Sequence, residues 1–129
     1  MTTQTPIAIR VLIVDDAPQV REELSKVLTL AGDIQIVGEA INGREAITQV
    51  AILQPEVVLM DLEMPELDGY EATRQIKYFY PACRVIALTV HDYPVARQEA
   101  FKAGVDDFIV KGTPVETLVQ TIFGIERKE

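Results

Sequence analysis

The chain has 129 residues, of which 48% are hydrophobic, and its formal net charge is -8. This length suits one globular domain that buries roughly two-thirds of the surface of its unfolded chain. The acidic balance argues against unaided nucleic-acid binding, because no basic stripe is present to neutralise phosphates. Cys83 is the only cysteine, which excludes a disulfide framework and a cysteine-rich metal site. Neither a membrane-spanning stretch nor a signal peptide is recognisable, so we expect a cytoplasmic protein.

Short apolar runs alternate with helical patterns in the first half of the chain. A strand is predicted over residues 9–14, and a helix follows within Pro18–Gly32, because proline suits helix starts and glycine helix ends. Residues 34–37 predict a short second strand. Asn42 is predicted to cap a second helix, which Gln54-Pro55 terminates. The side chains expected to face the core are Val20, Leu24, Val27, Leu28 and Ala31 from the first helix and Ala46, Ile47, Val50 and Ala51 from the second.

The second half of the chain continues this alternation. Strands are predicted over residues 57–60, 85–88 and 108–110, and each is followed by a helical pattern. Five strand–helix units with right-handed crossovers predict a three-layer α/β sandwich around one parallel sheet. The inward positions expected from the last three helices are Tyr70, Thr73, Ile76 and Tyr80, then Ala96, Ala100 and Ala103, and then Val115, Leu118, Val119, Ile122 and Ile125.

Polar residues follow four of the apolar runs. Asp15-Asp16 follows the first run, Asp61 the third, Thr89 the fourth and Lys111 the fifth. Parallel strands end at one edge of their sheet, where ligands bind in open α/β folds. Three converging carboxylates repel one another unless a cation compensates, and hard oxygen ligands suit Mg²⁺. A hydroxyl and an ammonium group beside them suit phosphoryl oxygens, so the pattern predicts a site for a divalent cation and a phosphoryl group.

Each of these residues also has a plain structural explanation. Asp16 could cap the first helix, and Asp61 could be a turn residue. Thr89 is a good strand residue, and Lys111 could be an exposed loop lysine. Their coincidence at one sheet edge favours the cation and phosphoryl site.

These residues, in this order, resemble the receiver domain of two-component response regulators. The resemblance implies a flavodoxin-like, doubly wound sheet of five parallel strands in the order 2-1-3-4-5, with helices on both faces. The receiver domain would cover residues 8–125, with an N-terminal tail over 1–7 and a C-terminal tail or linker start over 126–129. The matching positions are Asp15-Asp16, Asp61, Thr89, Lys111 and, in the loop after the phosphorylated aspartate, Met64-Pro65 and Asp68-Gly69.

The resemblance also implies a chemistry for the site. Asp61 would take a phosphoryl group from a sensor histidine kinase, a phosphotransfer protein or a small phosphodonor. Asp16, Asp61 and the backbone carbonyl of Glu63 would ligate Mg²⁺, with Asp15 acting through water. Lys111 would neutralise the phosphoryl oxygens. The chain would then be a signalling switch, limited to its own phosphorylation and dephosphorylation, and not an enzyme.

A switch is the second implication of the resemblance. Thr89 would move toward the phosphoryl group, and Phe108, by its chemistry alone a core residue, would occupy the family's switch position. The surface of the fourth helix, fifth strand and fifth helix would then control an output such as transcription. His91 and Glu63 lie where family members tune acyl-phosphate hydrolysis, although both could equally be solvated loop residues.

Two departures from the common receiver pattern point to one branch of the family. Val90 stands where many receivers have a small residue, and it is expected to narrow access to Asp61. Gly112 stands where many have proline after the lysine, and a cis bond before glycine is costly, so the Lys111–Gly112 bond is predicted to be trans. Both features resemble the NarL/FixJ-like branch, which usually precedes a DNA-binding domain. The resemblance as a whole implies a sensor kinase or phosphotransfer partner and leaves a homodimer open. From the acidic charge and the lack of a membrane-spanning stretch, we expect this chain itself to contact neither nucleic acid nor membrane.

Three other functions compete with the receiver interpretation. An aspartate-nucleophile phosphohydrolase uses a similar residue set, but it typically carries a second aspartate where this chain has Glu63. A nucleotide-binding module would need a glycine-rich phosphate loop, and neither common form of that motif occurs. A degenerate receiver used only for docking would have lost part of the five-residue set, which is intact.

Overall fold

The computed structural model describes residues 8–124, in which five strands alternate with five helices. Within this range, the structure has no helix long and apolar enough to cross a membrane. The predicted tails over 1–7 and 126–129 and the inward position of Ile125 lie outside the described residues. The strands are β1 (Ile9–Val14), β2 (Ile34–Ala40), β3 (Val57–Met60), β4 (Arg84–Thr89) and β5 (Asp107–Val110). The helices are α1 (Pro18–Leu30), α2 (Gly43–Leu53), α3 (Gly69–Phe79), α4 (Pro94–Ala103) and α5 (Val115–Phe123).

The five strands form one sheet in the order β2-β1-β3-β4-β5. Every pair of neighbouring strands is parallel, so the carboxyl ends of all strands lie at one edge. The predicted fold and strand order are confirmed. The order reverses between β1 and β3, which places the residues after these two strands in the crevice where such sheets bind ligands.

Two apolar cores cover the two faces of the sheet. On one face, β1, β3 and β4 pack against the helices α2, α3 and α4 through side chains such as Val50, Ile76 and Ala100. On the other face, the same strands pack against α1 and α5 through Leu28 and Ile122. Successive side chains of a strand alternate between these cores, which explains why the central strand β3 is apolar throughout.

The second strand is longer than the sequence pattern predicts. It continues through Ala40, because it pairs with the whole of β1, whose Val14 is opposite Ala40. The register shifts where Val11 faces Ile36 and Leu12 faces Gly38, so the second strand carries one extra residue there. This extra residue interrupts the alternation and ended the predicted strand too early.

The helices agree with the prediction except at their ends. Asn42 caps α2 as predicted, since its side chain accepts a hydrogen bond from the N–H of Glu45. Tyr80 follows the last residue of α3 and is half-buried, whereas Thr73 and Ile76 are buried as predicted. The inward positions that were wrong are at or near helix ends and are exposed: Ala31, Ala51 and Val115.

Cys83 is a structural residue at the entry to β4. Its side chain is buried in the first core, and this burial raises the pKa of the thiol to about 11. A thiol with such a pKa stays protonated at neutral pH and is unreactive.

Candidate functional site

Three carboxylates meet at the carboxyl edge of the sheet, beyond β1 and β3. One oxygen from each of Asp15, Asp16 and Asp61 lies within 4.8 Å of the others. Asp15 and Asp61 are only 2% and 6% exposed, whereas Asp16 is exposed. Parallel pairing of the two strands brings these residues together, as the sequence predicts.

Backbone contacts hold the first acid in place. The N–H of Asp15 donates to the Ala40 carbonyl at 3.0 Å, and one of its carboxylate oxygens accepts from the N–H of Ala17 at 2.9 Å. The Arg21 guanidinium donates to the Asp15 carbonyl at 2.8 Å. Ala17, not Asp16, is the N-cap of α1, and no side chain caps that helix. The capping explanation of Asp16 is therefore wrong, and its carboxylate is free of that structural task.

Two glycines shape the loop that follows the third strand. A Cβ added to Gly69 would overlap the backbone oxygen of Asp61, so only glycine permits this close approach. Gly43, the first residue of α2, donates its N–H to the Leu67 carbonyl at 2.9 Å, and a Cβ there would overlap the same oxygen. These contacts hold the loop between Asp61 and Asp68 against the rest of the domain.

Lys111 lies across the crevice from the acids. Its ammonium nitrogen is 2.8 Å from a carboxylate oxygen of Asp15 and 3.9 Å from one of Asp61. The backbone N–H of Lys111 donates to the Thr89 carbonyl at 2.7 Å. Gly112 then adopts a φ of 97°, a left-handed conformation that suits glycine, and the described residues contain no cis peptide bond. The trans bond predicted before Gly112 is confirmed.

The central acid has a perturbed proton affinity. Burial, followed by repulsion from Asp15, raises the pKa of Asp61 from 3.8 to about 6. The charge of Lys111 and the hydrogen bond from the N–H of Glu63 lower it in part, and Asp16 raises it again. Desolvation and like charges both favour the neutral acid, and a cation among the carboxylates would remove that penalty.

The residues predicted to form the switch lie on the adjacent strands. Thr89 is the last residue of β4 and is 2% exposed, and its hydroxyl accepts a hydrogen bond from the N–H of His91 at 3.2 Å. Phe108 lies in β5 and is 8% exposed. Val90 is 63% exposed, so most of its surface faces solvent.

The two loops on either side of Asp61 are joined by a side-chain pair. The imidazole Nε2 of His91 is 3.1 Å from a carboxylate oxygen of Glu63, and their side chains are 33% and 57% exposed. These two residues are therefore partners, a contact that the sequence does not indicate. They lie at the rim of the acidic crevice.

The donor set fits a hard divalent cation. The three acidic side chains supply only carboxylate oxygens, and an exposed member leaves one side open to water, as Mg²⁺ sites require. Within residues 8–124, this is the only group of three or more acidic, histidine or cysteine side chains close enough to share an ion. The acidic pocket is thus compatible with metal binding.

Sequence reasoning missed three residues that support the site. Arg21 donates a hydrogen bond to the Asp15 carbonyl, and Gly43 donates its N–H to a carbonyl in the loop after β3. The guanidinium group of Arg97 lies over the Phe108 ring. Each is an ordinary residue type within or at the start of a helix, so no local pattern distinguishes it. The glycine after the helix-capping Asn42 was the one available signal, since helices rarely begin with glycine for their own stability.

Comparisons with known proteins agree with this geometry. A family model described as the response regulator receiver domain matches residues 11–123. The response regulator protein VraR of Staphylococcus aureus is 41% identical over 125 residues, which are 95% of this chain and 59% of that protein. This chain thus spans less than two-thirds of the length of that relative.

Solved structures give the same result. The signal receiver domain of the response regulator NarL from Mycobacterium tuberculosis superposes with a TM-score of 0.88 at 29% identity, covering 92% of this chain and 96% of that one. A LuxR-family DNA-binding response regulator from Staphylococcus aureus has a TM-score of 0.85 at 28% identity, covering 90% and 97%. The chain belongs to the receiver domain family of two-component response regulators.

Proposed function

We propose that Asp61 accepts a phosphoryl group in a Mg²⁺-dependent reaction from a sensor histidine kinase, a phosphotransfer protein or a small phosphodonor. The observation that carries this proposal is the meeting of three carboxylates and one ammonium group at the sheet edge. Phosphoryl transfer needs little from a protein beyond a positioned nucleophile and charge stabilisation, and this crevice supplies both.

The reaction follows from the placement of the side chains. A carboxylate oxygen of Asp61 attacks the phosphorus in line while the bond between phosphorus and the donor breaks, and its electrons remain on the donor atom. The product is an acyl phosphate on Asp61. The Lys111 ammonium group, 3.9 Å from Asp61, neutralises charge on the phosphoryl oxygens.

Four groups of this chain are proposed to hold the cation. Asp16, Asp61 and the backbone carbonyl of Glu63 would ligate Mg²⁺, and Asp15 would act through water. When bound, Mg²⁺ supplies additional neutralisation of the phosphoryl oxygens. Lys111 partly compensates the charge of Asp15, whose carboxylate oxygen is 2.8 Å from the ammonium nitrogen. A positive charge therefore lies beside the acids with or without Mg²⁺.

The experiment that tests this function is phosphorylation by acetyl phosphate. The purified chain is incubated with acetyl phosphate and Mg²⁺, and intact-mass spectrometry should show the addition of one phosphoryl group. With EDTA in place of Mg²⁺, the addition should fall to background. Labelling that is equal in both conditions, or absent in both, would contradict the proposal.

Asp16→Ala should separate metal binding from folding. Because Asp16 is exposed and caps no helix, its removal should change the free energy of unfolding of the metal-free protein by less than about 0.5 kcal/mol. It should nevertheless reduce the rise in Tm that Mg²⁺ produces, since a ligand stabilises only the state that binds it. Thermal melts with and without Mg²⁺ measure both effects.

Glu22→Ala is the matched control for this variant, because Glu22 is an exposed acid of α1 outside the cluster of three carboxylates. It removes the same charge and should keep the full Mg²⁺ response. An Asp16→Ala protein that loses stability but retains the whole response would show that Asp16 has a structural role.

Phosphorylation of Asp61 also suggests how the domain controls an output. We propose that Thr89 and Phe108 repack after phosphorylation and alter the surface of α4, β5 and α5. The output proposed is transcription, through a DNA-binding domain such as that of the LuxR-family relative, and the site of action is the cytoplasm. We further propose that the receiver unit spans residues 8–125 and that this unit itself does not bind DNA or membranes.

A further inference from the structure

An arginine of α4 covers the aromatic ring proposed to switch. The guanidinium carbon of Arg97 lies 4.6 Å from the centroid of the Phe108 ring. The same guanidinium group is 3.2 Å from a carboxylate oxygen of Asp92, in the loop between β4 and α4. One side chain thus connects that loop, the fourth helix and the fifth strand.

The ring contact matters more than the ion pair. The Arg97 and Asp92 side chains are 47% and 52% exposed, and ion pairs this exposed contribute little stability. A cation over an aromatic face is attracted by the ring quadrupole, and Phe108 is only 8% exposed, which strengthens that attraction. The Asp92 carboxylate restricts the guanidinium group to the position in which it contacts the Phe108 ring.

The fourth helix is weakly held by its apolar face. That face consists of small side chains, of which Ala100 and Ala103 are buried. Because buried apolar area is small for alanine, such a helix resists displacement less than one lined by leucine or isoleucine. The contact from Arg97 to Phe108 therefore adds to the packing that holds this helix in its present position.

The contact also lies next to the proposed path of the signal. The Thr89 hydroxyl accepts a hydrogen bond from the N–H of His91 at 3.2 Å, and Asp92 is the next residue. If the hydroxyl turns to a phosphoryl group on Asp61, that bond breaks and the loop that carries Asp92 is released. Phe108, whose backbone lies opposite Ala87 of β4, can then enter the vacated space and leave the guanidinium group.

We propose that Arg97 is a positioning residue that holds Phe108 and the fourth helix in the unphosphorylated arrangement. This inference rests on the proposed phosphoacceptor function. A contact made only in that arrangement opposes the switch, and by linkage it weakens the binding of any ligand that favours the switched state. Arg97 thus sets how readily a phosphoryl group on Asp61, or a ligand that mimics it, shifts the domain to the switched arrangement.

Titration with beryllofluoride, a mimic of the acyl phosphate, tests the inference in the presence of Mg²⁺. Amide shifts near Asp61 and Phe108 report the half-saturating concentration. Arg97→Gln should lower this concentration by about two- to fivefold, the effect expected from the loss of one such contact. Arg97→Lys retains a cation and should give a smaller decrease. Asp92→Asn keeps the arginine but removes the carboxylate that restricts it. This variant should therefore also lower the half-saturating concentration.

Lys102→Gln is the matched control, because Lys102 lies on the same helix with a side chain 77% exposed and 3.9 Å from Glu99. It removes the same charge and should leave the half-saturating concentration unchanged. Simple loss of positive charge would weaken the binding of an anion, which is opposite to the direction expected for Arg97→Gln.

A second measurement uses only the wild-type protein, so it does not require any variant to fold. In the wild type, nuclear Overhauser contacts between the Arg97 side chain and the Phe108 ring should be present without beryllofluoride and weaken when it binds. Contacts that persist unchanged at saturation overturn the inference, and so does an Arg97→Gln half-saturation equal to or above that of wild type. Wild-type protein that shows no shifts around Asp61 overturns the proposed function, and the inference with it.

Discussion

Replacing Asp61 with asparagine is expected to reduce phosphorylation by acetyl phosphate to background, a loss of more than roughly a thousandfold in rate. Asparagine has nearly the same shape as aspartate, and its amide oxygen can still accept the N–H of Glu63, which is 3.3 Å from the carboxylate in the native protein. What it lacks is a nucleophilic carboxylate, so the loss is chemical and not structural. Intact-mass spectrometry after a fixed incubation with acetyl phosphate and Mg²⁺ measures the result.

Asp33→Asn is a matched control for this variant. Asp33 is exposed, has a φ of 60° that asparagine tolerates well, and lies in the turn before β2, at the edge of the sheet opposite the crevice. It makes the same chemical change and should leave phosphorylation intact. Equal labelling of Asp61→Asn and wild type would show that another residue is the phosphoacceptor.

In the metal-free protein, the stability that Asp61 contributes should be lost as pH rises through about 6, and Asp61→Asn should lack this pH dependence. Burial and the neighbouring Asp15 raise the pKa of Asp61 to about 6, whereas the unfolded chain has the ordinary value near 3.8. Between these values, the folded state holds a proton that the unfolded state has released. The stability from this group is therefore complete below about pH 3.8 and disappears as pH rises through about 6.

The expected size of this effect follows from the pKa shift. A shift of this size corresponds to at most about 3 kcal/mol, and solvent at the rim of the crevice reduces it to on the order of 1–2 kcal/mol. The quantity to measure is the difference in the free energy of unfolding between Asp61→Asn and wild type, by urea unfolding in EDTA from about pH 4 to about pH 7.5. Taking the difference removes the titration of groups that both proteins share.

The variant should be the more stable protein at pH 7, and the difference should shrink toward pH 4. Addition of Mg²⁺ should also shrink it, because a cation among the carboxylates compensates the ionised Asp61. A difference that is constant across the pH range would mean that Asp61 titrates normally in the folded protein.

The amino-acid sequence by itself determined the alternation of strands and helices and the polar residues that follow the strands. Short apolar runs with helical patterns between them are local signals, and they located all five strands to within a few residues. Because parallel strands end at one edge, these runs predicted that the residues after them lie at that edge, and the resemblance to receiver domains implied the strand order that makes β1 and β3 neighbours. Asp15, Asp16 and Asp61 meet as this reasoning requires. The second strand was the exception, since its extra residue hid the alternation and its length depends on pairing with β1.

Only the tertiary structure decided which side chains touch which. Lys111 pairs with Asp15 at 2.8 Å and lies farther from Asp61, although 96 positions separate the pair in the chain. His91 meets Glu63, and Arg97 covers Phe108, through rotamers and loop positions that no local pattern encodes. The rise in the pKa of Asp61 has the same origin, because it depends on burial and on Asp15, which lies 46 positions earlier in the sequence. Periodicity reports which face of an element is buried, whereas contacts between distant residues follow from the packing of the whole domain.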